Sequence, residues 1–223
     1  MGIIDGGYSL TQLLSGPCRV VFGADSITKP ANIADVLGMV SPYTLDADFK
    51  DIGATTGPAQ YSRSIESEGL SVEQVKGNII EDVTDVTRSF TLPVGAITPE
   101  NLQVLENAGA VGTIAAAANK SAQKKVEVGS FDELTKYRVA FIGLRPKGAG
   151  TVTEPGGATR GRMLAFCAYY ASMSADESSL SIGKGQLASM DMSFTLFPDP
   201  AVSDQTKAQG IWLSEDAGTI SAS

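Results

Sequence analysis

From Ser189 to Leu196 polar and apolar residues alternate without a break. Met190, Met192, Phe194 and Leu196 share one parity, and Ser189, Asp191, Ser193 and Thr195 the other. Successive side chains of a strand point to opposite faces, so this spacing predicts a half-buried strand, stopped by Pro198-Asp-Pro200. A similar period runs through residues 79–94, where Val86, Phe90, Leu92 and Val94 oppose Thr87, Ser89 and Thr91. Arg88 interrupts that apolar face, and Pro93 predicts a strand end or an edge position there. Shorter strand-like runs fall at 19–22, 61–63, 70–75, 124–128 and 137–144, with Gly53, Gly57, Gly69 and Gly77 breaking the middle of the series. Residues 163–170 are continuously apolar and of strand length; periodicity alone leaves a helix open there.

One helix is predicted near residues 98–108. Thr98 supplies a cap, Pro99 suits the first helical position, and Glu100 sits at the positive end of the dipole. Leu102 and Leu105 form its apolar stripe, and Gly109 its stop. Residues 113–118 fit either helix or loop. Residues 146–161 are rich in Gly, Thr and Pro, and a loop of that length inside a compact domain is functional or mobile. The pattern as a whole is mainly β (α+β): a β-sandwich or half-barrel with one packed helix, a long loop and extended arms. The expected organisation is a single domain, 1–223, with an N-terminal arm at 1–40, a core at 41–197 and an acidic C-terminal arm at 198–223.

Composition supports this picture and narrows it. A chain of 223 residues, 43% hydrophobic and 19% charged, is long enough for one good core plus arms. No apolar run approaches the roughly 18–20 residues of a membrane span, and the N-terminus shows neither a signal peptide nor, with Gly6 in place of Ser or Thr, a myristoylation start. A soluble intracellular chain is expected. The net charge of −8 argues against tight nucleic-acid binding, which needs a basic surface. The charge is uneven: residues 64–86 carry Glu66, Glu68, Glu73, Glu81, Asp82 and Asp85 against Lys76 alone. Arg145, Lys147, Arg160 and Arg162 cluster around the Gly-rich loop. These read as an acidic wall and a basic contact loop. Cys18 and Cys167 are expected to be free, partly buried thiols.

Little of the chain suits catalysis, and no cofactor is expected. The absence of His removes imzidazole-based triads, acid–base work and His-ligated metals. Ser121-Ala-Gln-Lys124 has the Ser-x-x-Lys spacing, without the companion motifs that spacing needs. Asp46, Asp48 and Asp51 suggest a calcium loop, but Lys50 and Gly57 occupy ligand positions. The glycines of 143–161 fit no phosphate-binding loop. Glu81, Asp82 and Asp85 read as a charged face rather than an acid–base pair. A structural, non-enzymatic protein is expected.

The segment Leu45-Asp-Ala-Asp-Phe-Lys-Asp-Ile-Gly-Ala-Thr-Thr-Gly57, then Tyr61-Ser-Arg-Ser-Ile-Glu66, then the acidic strand pair ending Phe90-Thr-Leu92, then Ile97-Thr-Pro-Glu-Asn-Leu102, occur in that order. This order resembles the major tail tube proteins of long-tailed (siphovirus-type) bacteriophages, over residues 45–107 above all. The resemblance implies a virion protein whose sheets join in hexameric rings, stacked into a tube that conducts DNA without binding it specifically. It also implies the tail terminator, tape measure and distal tail proteins as partners. Glu66, Glu68, Glu73, Glu81, Asp82 and Asp85 become candidates for the lumen wall, about half of them facing inward by strand alternation. The loop with Arg145, Lys147, Arg160 and Arg162, and both arms, become candidates for contacts between copies. Removing residues 198–223 is then expected to weaken assembly. A tail terminator, neck or capsid decoration protein would share the sandwich and the negative charge.

Overall fold

The computed structural model describes residues 18–41, 43–53, 55–71, 78–130, 132–174, 179–182 and 189–220. Its strands, in chain order, are β1 (Cys18–Ala24), β2 (Lys50–Asp51), β3 (Gln60–Ser71), β4 (Asn78–Val94), β5 (Gly112–Ile114), β6 (Gln123–Lys125), β7 (Tyr137–Leu144), β8 (Thr151–Thr153), β9 (Thr159–Gly161), β10 (Met163–Met173), β11 (Ser179–Ser181), β12 (Ser189–Leu196), β13 (Gly210–Ser214) and β14 (Gly218–Thr219). A single α-helix among the described residues, α1 (Pro99–Leu105), completes a mainly β fold. The chain forms two compact units. One comprises Met1–Gly53, Lys136–Ala171 and Pro198–Ser223; the other comprises Ala54–Thr135 and Ser172–Phe197.

In the first unit the antiparallel order is β2-β1-β7-β10-β13. Register aligns Val21, Ala140, Cys167 and Ile211 across neighbouring strands on one face. That face is closed by Ile33, Val36, Leu37 and Phe49, which makes the unit's core. The 3₁₀ turn Ile33–Asp35 that delivers the first of these is fixed by a reciprocal cap: the Asp35 N–H donates to Asn32 Oδ1 at 3.2 Å and the Asn32 N–H to Asp35 Oδ2 at 3.0 Å. On the opposite face Phe141, Phe166 and Trp212 meet, the last two with centroids 4.8 Å apart. The continuous apolar run in β10 is therefore a strand buried on both faces, not a helix. Gly210 admits β13 against it, since a Cβ there would lie 2.6 Å from the Cys167 carbonyl oxygen.

The segments read as arms and loop carry regular structure. Within 1–40 the described residues hold β1, which pairs with both β2 and β7. Residues 198–220 hold β13 and β14, the latter parallel to β8. The Gly-rich stretch holds a 3₁₀ turn, Lys147–Ala149, and the β8–β9 hairpin. Glycine content signalled turns there, and the turns are short enough to leave room for three-residue strands.

In the second unit the order is β3-β4-β12-β11, again antiparallel. Met190 faces Val94, Met192 faces Leu92 and Phe194 faces Phe90, all buried, so the alternation read in β12 and β4 is one shared core face. Pro93 sits beyond the last β3 pair, Gln60 opposite Thr91, where its missing N–H removes no β3 bond. The helix is shorter than expected. Thr98 caps it, with Oγ1 accepting from the Asn101 N–H at 3.1 Å, but it ends before Gly109 because Asn107 already adopts φ 48°. Its buried residues are Asn101 and Val104 rather than Leu102 and Leu105, which are half-buried. The Asn101 amide group donates to the Ala96 carbonyl at 2.8 Å, which makes a buried polar residue tolerable.

Candidate functional site

The β3–β4 hairpin holds most of the acidic residues singled out in the sequence. Its register sets Ser62 opposite Ser89, Ser64 opposite Thr87, Glu66 opposite Asp85 and Glu68 opposite Asp82. A one-residue shift between Glu66 and Ser67 absorbs Thr84, so the two carboxylate pairs stay in step. Paired residues lie on the same face, and every row here is hydroxyl or carboxylate, with no Lys or Arg in any of them. Glu66, Glu68, Asp82 and Asp85 are all exposed. Like charges placed directly opposite one another destabilise a hairpin, so this face is not arranged for the stability of the strand pair. Toward β12 the same face continues through Thr91 and Ser193, whose hydroxyls lie 3.1 Å apart, and there it is covered. Glu81 pairs backbone to backbone with Gly69. Glu73 lies outside the described residues.

The other face of the hairpin reads Tyr61, Arg63, Ile65 and Ser67 against Phe90, Arg88, Val86 and Val83. It continues the buried face of β12 and β4, yet Ile65 is 47% and Val83 60% exposed. Sequence reading found the β4 part of this face, Val86 to Val94 with Arg88 interrupting it, but not its extension to Ile65 and Val83. Ile65 and Val83 carry no alternating apolar neighbours of their own, and only the register shows that they share a side.

The basic loop separates into two environments. Lys147 is exposed, and Arg145 and Arg162 are half-buried, joined by an N–H to carbonyl bond of 2.8 Å. Arg160 is buried within the first unit, and its partners are internal. Its guanidinium donates to both oxygens of Glu215, at 2.5 and 2.7 Å, lies 3.3 Å from Glu154, and donates to the Met39 and Gly161 carbonyls. Glu154 also accepts from the Tyr43 hydroxyl at 2.6 Å and from the Ser41 N–H, and Glu215 from the Met163 N–H at 2.9 Å. Burial pulls the Arg160 pKa down, but the bonds and charge of Glu215, with Tyr43 and Glu154, raise it on balance. The network ties Met39, Ser41 and Tyr43 to Glu154, Arg160, Met163 and Glu215, and holds Tyr43 at φ 54°, a left-handed conformation rare for a bulky residue. Its members are too far apart in sequence for spacing to reveal them.

A second buried group of the first unit joins the turn after β1 to the turn after β12. Asp199 accepts from Lys29 at 3.1 Å and lies 3.9 Å from Arg138, which donates to the Asp25 carbonyl at 2.7 Å.

Several residues weighed as catalytic or calcium-binding make structural contacts. Lys124 forms an ion pair with Glu100, and it stands on a strand rather than one helical turn after Ser121. Asp46 accepts from the Asp48 N–H at 3.0 Å, while Asp51 accepts from Arg19 at 2.6 Å and from the Gly53 N–H, so these carboxylates set turns. Both cysteines are free thiols, pushed up by burial to about 11 for Cys18 and about 12 for Cys167. Among the described residues no three His, Cys, Asp or Glu side chains converge to hold a metal, and no helix is long and apolar enough to cross a membrane.

No protein-family model and no curated protein matches this sequence. Among solved structures, one similar chain comes from a cryo-EM structure of the anti-feeding prophage baseplate, 6-fold symmetrised. It is 11% identical, with 82% of this chain and 89% of that chain covered and a TM-score of 0.38. That score and identity do not establish a shared fold.

Proposed function

We propose that this chain is a structural virion protein without catalytic activity, and that its copies assemble into stacked hexameric rings forming the tail tube through which phage DNA passes. The observation that carries the reading is the β3–β4 hairpin. One of its faces is an exposed set of carboxylates and hydroxyls without a cation, and β3 pairs with β4 alone among the described strands. A strand of 12 residues, Gln60–Ser71, whose described pairing is with β4 alone offers its other edge to another chain. Closing such pairing around a ring removes the edge, and head-to-tail repetition of the ring makes a filament. An anionic inner wall repels phosphate, so DNA slides without sticking. The order of motifs from Leu45 to Asn107 resembles tail tube proteins and points the same way. Lys147 stays available for contact between rings, and the tail terminator, tape measure and distal tail proteins are the further partners this reading implies.

Electron microscopy of the purified full-length chain in negative stain tests it. Hollow tubes of uniform bore that lengthen with protein concentration are the expected result. A lone monomer at every concentration overturns the reading, and discrete rings that never stack replace it with a terminator or neck role.

A further inference from the structure

The core layer of the first unit stops short at its β13 border. Ile142, Ala165 and Leu213 form one row on the core face, and the first two are buried while Leu213 is only half-buried. Beside Leu213 lies a cleft of about 210 Å³, lined by Ile33, Ala34, Met39 and Ser214 as well. That volume is below the roughly 300–1,000 Å³ of a small-molecule site, so the cleft suits side chains rather than a ligand. The chain enters β1 at the same end of the sheet. Cys18, Gly143, Leu164 and Ser214 stand in one row, which puts the cleft three strand spacings, about 14 Å, from the start of β1. Residues 1–17 lie outside the described part of the chain. Ser15-Gly16-Pro17 is a turn signal, and residues 6–17 hold Leu10, Leu13 and Leu14 without a charged side chain.

We propose that residues 10–14 seat their leucines in this cleft of their own subunit and close the core over Leu213. Reach selects the occupant. At about 3.3 Å per extended residue, Leu13 and Leu10 extend up to about 17 and about 26 Å from Cys18, enough to cross the row after a turn at 15–17. A short tether also holds the segment at an effective concentration in the millimolar range, which favours it over the same segment of a second copy. Chemistry agrees, because three leucines leave water for a cleft whose walls are Ile33, Met39 and Leu213. The inference is independent of the tube reading. It assigns the stretch before β1, which the sequence offered for contacts between copies, to the fold of its own subunit.

The test introduces Gln12→Cys and Ala34→Cys into the full-length chain together with Cys18→Ser, so that the buried Cys167 is the only other thiol. Ala34 is exposed at the cleft and Gln12 stands between the leucines, so neither change removes the proposed contact. The protein is oxidised with glutathione disulfide over a range of protein concentrations, and the products are separated by non-reducing electrophoresis and mapped by mass spectrometry. A disulfide between positions 12 and 34 of one chain is expected, at a rate independent of protein concentration. Adding L10S/L13S/L14S should slow it at least tenfold, and L10S/L13S/L14S in the otherwise unchanged chain should lower the melting temperature by several degrees. A disulfide that joins two chains overturns the inference by placing the segment on a neighbour. An equal rate without the leucines also overturns it, since chance encounter along the tether would then explain the bond. No bond between these positions, or an unchanged melting temperature for L10S/L13S/L14S, overturns it as well.

Discussion

Arg160 shows how far a single residue's role depends on partners distant in sequence. The sequence placed it beside Arg145, Lys147 and Arg162 in a Gly-rich stretch, which invites a surface role. Its carboxylate partners, Glu154 and Glu215, and the carbonyl of Met39 come from three separate segments, and only folding brings them to it. The titration of this network follows from the Tyr43–Glu154 bond. That bond, ahead of the Ser41 N–H and Arg160, holds the Glu154 carboxyl below the usual carboxylate range despite opposing desolvation, and it raises the Tyr43 hydroxyl. A lowered carboxylate pKa gives stability that is complete above the unfolded value, about 4.3, and is lost as pH falls through the folded value. A raised tyrosine pKa gives stability that is complete below the unfolded value, about 10, and is lost as pH rises through the folded value. The difference in melting temperature between the wild type and Tyr43→Phe should therefore be a plateau from about pH 5 to 9, shrinking on both sides. A difference that does not change between pH 3 and 7 would show that this bond is not formed.

Elements were legible where periodicity or length spoke clearly. Strands β7, β10 and β12 fall where the apolar patterns put them, because each has enough core contact to override local preference. Cap chemistry also placed the start of α1 correctly, through Thr98 and Pro99. Its end was misplaced because Asn107, not Gly109, takes the left-handed position, and asparagine is a weaker signal of it than glycine. The short pairings at β8–β9 and β13 were hidden, since three to five residues carry too few periods to register. Their packing is nonetheless tight. Gly161 closes β9 against the chain leaving β7, where an added Cβ would stand 1.8 Å from the Arg145 carbonyl oxygen, a contact only backbone movement can relieve. Gly156, in the turn of the same hairpin, has nothing within 4 Å of that position. Gly161→Ala should therefore lower the melting temperature by several degrees, a cost of about 2 kcal/mol or more, while Gly156→Ala stays within about 0.5 kcal/mol of the wild type. Equal melting temperatures for the two variants would mean that β9 is not held against Arg145 as described.

At the scale of the molecule, the sequence disclosed the charge and the strand content but not which surface carries each. Deleting 198–223 removes β13, Trp212 and Glu215, and so strips partners from β10, Phe166 and Arg160; weakened assembly after that deletion would report a damaged subunit rather than a lost arm. Ionic strength is the cleaner probe, because it leaves the subunit intact. Identical chains of net charge −8 repel, and the carboxylate rows of the hairpin concentrate that repulsion where copies would converge around a bore. The Debye length falls from about 30 Å at 0.01 M salt to about 8 Å at 0.15 M, which spans the separations expected across a narrow channel. Polymer formation followed by light scattering should therefore accelerate with sodium chloride over this range, and Glu68→Gln combined with Asp82→Asn should reach the high-salt rate already at low salt. Dissociation of preformed polymer by the same salt would instead mean that ion pairs between copies, with Lys147 among the cations, dominate the contact.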